Sequence, residues 1–196
     1  ALLTMALKGV AYAATGSVGL LSDALESLVN LGAALLALLS LHVSARPPDD
    51  DHAFGHDKVE FFAAGLEGGL ILLAAAGIAW AAIGRFFAPV ALQDVGLGSA
   101  LAVCAALANG AAGYTIRKAG REHGSPTLEA DGEHLLADVW TTAAVLVGLV
   151  LVRLTGWVAF DPLVALVMAV VIVRTGLRLI LRSVGGLMDE ALPEAE

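Results

Sequence analysis

Apolar stretches long enough to cross a bilayer follow one another along almost the whole chain. No other feature narrows the possible folds as much. They run from about Leu20 to Ser44, Val59 to Phe87, Val95 to Ile116 and Leu128 to Leu154, and from Asp161-Pro162 to about Val184. A shorter stretch covers Ala1 to about Ala14. A helical span needs about 20 predominantly apolar residues at 1.5 Å per residue. None of these stretches alternates apolar and polar residues with period two, so the pattern predicts helices and not a barrel of transmembrane strands. Breakers separate them: Thr15-Gly16-Ser17, Arg46-Pro47-Pro48, Pro89 and Thr155-Gly156. Asp161-Pro162 reads as an N-cap with proline in the first turn of the last helix. The first stretch is too short to span and reads as the remaining part of a longer first helix.

Composition agrees. Of 196 residues, 58% are hydrophobic and only 15% charged, with a mean hydropathy of +0.82. A water-soluble domain carries about 25% charged residues, so this chain cannot cover itself with polar surface. That excludes an ordinary soluble enzyme and a disordered chain. The net charge of −8 excludes a nucleic-acid partner. A single cysteine excludes a disulfide framework and a cysteine-based zinc fold. The expected fold is an all-α membrane protein, a six-transmembrane-helix bundle surrounded by lipid, in a bacterial inner membrane. Arg46, Lys58, Arg117, Lys118, Arg121 and Arg182 fall on one side of the alternating spans, with only Arg85 and Arg153 on the other. By the positive-inside rule this places both termini in the cytoplasm. Gly65, Gly68 and Gly69, and the pair Ala106 and Gly110, predict close helix contacts.

Polar groups inside a membrane are costly and ask for a partner or a function. The second stretch carries Asp23, Glu26 and Asn30, and the fifth carries Asp131, His134 and Asp138. Glu26 and Asn30 are four apart and share a helix face, as do His134 and Asp138. Turned toward each other, the two faces offer four oxygen and nitrogen donors, the ligand set for a tetrahedral divalent cation such as Zn²⁺. Two ionised carboxylates balance its charge. The competing reading is packing: a lone membrane Asn or His often links helices, and Asn109 is read that way. Asp23 and Asp131 lie near helix starts, where a capping or loop-facing role fits better than metal binding. His42, Lys8 and Cys104 are read as structural. Glu67 has no assigned role beyond packing with Arg174 or Arg178.

Thr15-Gly16-Ser17-Val18 with the run Leu20 to Asn30, the run Asp50 to Glu60, and His134-Leu135-Leu136-Ala137-Asp138 resemble, in this order, the first and second helices, the loop between helices two and three, and the helix-five HxxxD signature of cation diffusion facilitators. Leu187 to Pro193 is similar to the hinge that follows helix six in that family. The resemblance implies a dimeric exporter that exchanges a divalent cation for protons and carries no prosthetic group. It is a transporter and not an enzyme. Residues 1–188 would form the transmembrane domain and 189–196 the start of a hinge to an absent cytoplasmic domain. The transport site would be Glu26, Asn30, His134 and Asp138. Many members carry Asp at the position of Asn30, so this site holds one negative charge fewer. Zn²⁺ stays the first candidate, with Fe²⁺, Co²⁺, Cd²⁺ and Mn²⁺ behind it.

The same resemblance marks Asp49, His52 and His56 as a metal site in the second loop. The alternative is a solvated acidic loop that attracts cations. Lys58 and Asp189 match a charge pair at the family's dimer interface, against the alternative of a plain surface pair. Among rival functions, a channel needs a continuous polar stripe, and an intramembrane metalloprotease needs an HExxH-type site; neither pattern is present. A non-transporting membrane metal sensor or scaffold stands as the alternative function.

Overall fold

The computed structural model describes residues 2–123 and 126–188. Six helices make it up: α1 (Leu2–Thr15), α2 (Val18–Ser44), α3 (Lys58–Phe87), α4 (Val95–His123), α5 (Pro126–Thr155) and α6 (Phe160–Leu187). Helices α2 to α6 are each long and apolar enough to cross a membrane, whereas α1 has 14 residues. Large apolar side chains such as Leu73, Trp80, Trp140 and Leu181 point outward. That is unfavourable in water and suits hydrocarbon. The all-α membrane class expected from the apolar stretches is therefore the one observed.

Two helices outrun their apolar stretches. α4 continues past Ile116 through Arg117, Lys118 and Arg121, which are good helix formers, and Lys118 lies 3.7 Å from Glu122 one turn on. α5 begins earlier than expected, with Pro126 in its first turn.

One helix start differs in kind. α6 begins at Phe160, so Asp161 is not its N-cap. Its buried carboxylate reaches instead to the start of α2. There it accepts hydrogen bonds from the Ser17 hydroxyl, Val18 N at 2.8 Å and Gly19 N at 3.1 Å. Ser17 Oγ in turn accepts from Leu20 N at 3.1 Å. These donors are the orphan amides that any helix start leaves unpaired, and an anion suits the positive end of the helix dipole. Proline at 162 hid this role, because Asp-Pro is also an ordinary helix-start signal. At Gly16, φ is +66°, which favours glycine, and its carbonyl accepts from Arg85 Nη2 at 2.9 Å. Asp161→Ala strands three donors and should destabilise the protein by about 2 kcal/mol or more. A lowered melting temperature in detergent, with Asp161→Asn intermediate, checks this.

The chain divides into two compact units. The first comprises Ala1–Ser27 and Gly77–Ala169, the second Leu28–Ala76 and Val170–Glu196. In the first, α4 packs along α5 and α1 packs on α4, around Ala11, Leu20, Ala102, Val145 and Leu149. The α4–α5 crossing is closest at Gly113 and Gly132. A Cβ on Gly113 would sit 2.9 Å from Gly132 O, and one on Gly132 only 2.5 Å from Arg117 N.

In the second unit α3 meets α6 in the same manner. A Cβ on Gly68 would lie 3.0 Å from Gly176 O, and one on Gly65 would strike the Ser183 side chain. Ser183 Oγ also donates to Phe61 O at 2.7 Å. Gly65 and Gly68 thus serve the close contact expected of them. Gly69 does not, since its Cβ would meet open space, and one on Gly110 would make only an ordinary 3.7 Å contact with Val139.

Candidate metal-transport site

In the first unit, α2 leaves its cap at Val18 and is one full turn old when it reaches Asp23. Asp23 is therefore not a cap or a loop-facing group. It is buried, and Lys8 Nζ of α1 lies 2.7 Å from its Oδ1, with both side chains almost fully enclosed. Thr142 of α5 places its hydroxyl 2.9 and 3.1 Å from the two carboxylate oxygens. The same hydroxyl is 2.9 Å from Asp138 O. Two opposite charges inside a membrane can persist only when paired and hydrogen-bonded, and this arrangement does both.

Glu26, one turn further along α2, is half-buried. It hydrogen-bonds to Thr141 and lies within electrostatic reach of Asp138, Asp23 and Lys8. Asp138 is 6% exposed. Asn109 of α4 turns its Nδ2 toward Asp138 Oδ2 at 3.5 Å, the long end of a hydrogen bond. Asn109 therefore links α4 to α5 as expected, but through a candidate ligand. His134 stands one turn before Asp138 on α5 and is exposed. Asn30 stands one turn after Glu26 on α2, half-buried, in the second unit. The structure thus places Glu26 of α2 within electrostatic reach of Asp138 of α5, but among the described residues Glu26, His134 and Asp138 do not gather into one metal-ligand cluster as the loop residues do.

The second loop gathers Asp49, His52 and His56, whose ligand atoms all lie within 4.8 Å of one another. Asp49 Oδ1 accepts from His52 N at 2.7 Å and from Asp51 N at 3.1 Å, and lies 3.0 Å from His52 Nδ1. His56 Nε2 is 3.4 Å from Asp49 Oδ2. The two imidazoles lean together with centroids 4.4 Å apart. The hydrogen bond from His52 is the main reason the Asp49 carboxyl is held below its ordinary value. Asp49 and His52 are exposed and His56 is largely buried; one carboxylate and two imidazoles make a donor set for a divalent cation whose remaining ligands are waters. Asp50, Asp51 and Asp57 lie outside this cluster. Lys58 opens α3; its expected partner Asp189 lies outside the described residues.

Over residues 1–188 the chain matches the cation efflux transmembrane domain. The chain belongs to the cation efflux family. This family's helical spans make it an integral membrane protein, and relatives from bacteria agree with an inner-membrane location. It is 46% identical over its whole length to the uncharacterized transporter sll1263 of Synechocystis, covering 63% of that protein. To the cation-efflux pump FieF of Salmonella arizonae it is 34% identical, covering all of this chain and 65% of the pump. To the zinc transporter ZitB of Yersinia pestis it is 30% identical over 93% of this chain and 58% of the transporter. The chain thus spans less than two thirds of the length of these relatives. Within this cation efflux domain, sequence reasoning missed the Lys8–Asp23–Thr142 cluster. The signal was available: a lysine and an aspartate in neighbouring spans each demand an opposite charge.

Proposed function

We propose that the protein exports a divalent metal cation from the cytoplasm in exchange for protons, with Zn²⁺ the first candidate. The observation that carries this reading is that Glu26 and Asp138, on two apolar helices, lie within electrostatic reach of each other. Paired with the family, it supplies two charges to balance one divalent ion. His134 and Asn30 complete the set of donors, one turn from each carboxylate. A relative named as a zinc transporter supports Zn²⁺, and the relative named as a cation-efflux pump supports export.

In this reading, metal arriving from the cytoplasm displaces protons from His134 and the carboxylates. Metal binding requires deprotonated ligands, so metal and protons compete for the same side chains. Rearrangement of the helices then exposes the ions to the other side, where incoming protons release the metal. Both termini lie in the cytoplasm, and two copies of the chain form the working dimer, with Lys58 and Asp189 as a charge pair at its interface.

The Asp49–His52–His56 loop is an accessory site that collects metal before transport. The Asp49 carboxyl is depressed below its ordinary value. The order it gives the loop is therefore present above the ordinary carboxylate range and is lost only when pH falls through the lowered value. His52→Ala with His56→Ala should lower the transport rate by about two- to fivefold, because Asp49 stays exposed and waters can replace the lost ligands. Metal flux into vesicles holding the purified protein checks this. Complete loss of flux would make the loop essential and overturn its accessory role.

A further inference from the structure

Lys8, Asp23 and Thr142 are not needed as metal ligands, yet they form the most enclosed charged cluster in the first unit. Lys8 holds Asp23 at 2.7 Å on the helix turn just before Glu26. Thr142 sits one turn after Asp138, and its hydroxyl lies within 3.1 Å of both Asp23 oxygens and of Asp138 O. A threonine hydroxyl carries one proton; donated to the ionised Asp23 carboxylate it ties the α2 turn to α5, whereas donated to Asp138 O it stays within α5. The chain of contacts runs α1, α2, α5 and ends on the backbone of a carboxylate that a cation must meet.

We propose that the Lys8–Asp23 ion pair, acting through Thr142, is a positioning element that sets the Asp138 turn of α5 against the Glu26 turn of α2. Two physical facts support it. A site built from two helices keeps its affinity only while their donors stay within about 0.5 Å of the productive geometry. A charged acceptor also holds a hydroxyl more firmly than a neutral one, so Asp23 ionised by Lys8 is a better anchor than an amide. Lys8 further neutralises Asp23 and so takes it out of the charge balance with a divalent ion. This inference rests on the reading of Glu26 and Asp138 as transport ligands.

The test is Zn²⁺ flux in proteoliposomes, read as KM and maximal rate, with folded protein verified for each variant. Thr142→Val keeps shape and removes the hydroxyl. It should raise the KM for Zn²⁺ about tenfold, the worth of one charge-assisted hydrogen bond, and leave the maximal rate within about twofold, since transport chemistry is untouched. Thr142→Ser should restore the KM. Lys8→Met alone strands a buried carboxylate, so the pair is changed together. The joint change Lys8→Met with Asp23→Asn removes both charges and should show the same raised KM. A wild-type KM in Thr142→Val or in the joint variant, or no recovery in Thr142→Ser, overturns the proposal. Asp138→Ala in the same series separates the two readings. If it binds and transports Zn²⁺ normally, the transport site itself is wrong; if it is inactive while Thr142→Val is normal, only the positioning role is.

Discussion

Asp138→Ala should abolish metal transport, with flux falling to that of empty vesicles. Asp138 is buried at 6% exposure and supplies one of two carboxylates that can balance the cation. At an effective dielectric of about 20, a unit charge 4 Å away is worth roughly 4 kcal/mol. A divalent ion feels twice that, so the loss is at least about a thousandfold in affinity. His134→Ala should lose most activity, because it removes the imidazole nitrogen from the proposed ligand set. Asn30→Asp is the informative companion. It restores a charge and should keep binding while changing metal preference or pH optimum. If selectivity is unchanged in both Asn30→Asp and Asn30→Ala, Asn30 is not a ligand.

Gly132→Val should have the largest structural effect. A Cβ there would lie 2.5 to 2.7 Å from Arg117 N, Cβ and Cα of α4, and most of that obstacle is backbone, which cannot rotate aside. Overpacking costs about 1–3 kcal/mol where side chains can yield; here α4 and α5 must part, so the cost lies at the upper end or beyond. Gly132 is also two residues before His134, so the displacement reaches the site directly. Size-exclusion profiles and melting temperatures of Gly132→Val and Gly96→Ala check this. Gly96 has nothing within 4 Å of its Cβ and should be silent. A stable, monodisperse Gly132→Val would show that the helices are not in close contact at this point.

The helices were legible because a bilayer dictates both their length and their composition. Proline and glycine between them marked most ends. α4 outran its apolar stretch because Arg117, Lys118 and Arg121 extend a helix into water as readily as apolar residues extend it through lipid. The pairs Glu26 with Asn30 and His134 with Asp138 were legible from spacing alone. That Glu26 approaches Asp138 was not, because spacing within a helix says nothing about which helix faces it. The loop cluster followed the same limit. Its residues could be named from the resemblance, but that Asp49, His52 and His56 converge while Asp50, Asp51 and Asp57 stay outside depends on the turn. Asp161 was misplaced for a different reason. A carboxylate beside a helix start can cap its own helix or a neighbour's, and only the fold chooses.

The most direct test of exchange transport is proton flux in proteoliposomes driven by an outward-directed gradient of each of Zn²⁺, Fe²⁺, Co²⁺, Cd²⁺ and Mn²⁺. The account predicts that Zn²⁺ drives protons in the opposite direction, that the flux disappears in Asp138→Ala, and that it weakens as pH falls because protons compete with metal for the ligands. Zn²⁺ binding with no proton movement for any of the metals would contradict it, and would leave a membrane metal sensor or scaffold in place of an exchanger.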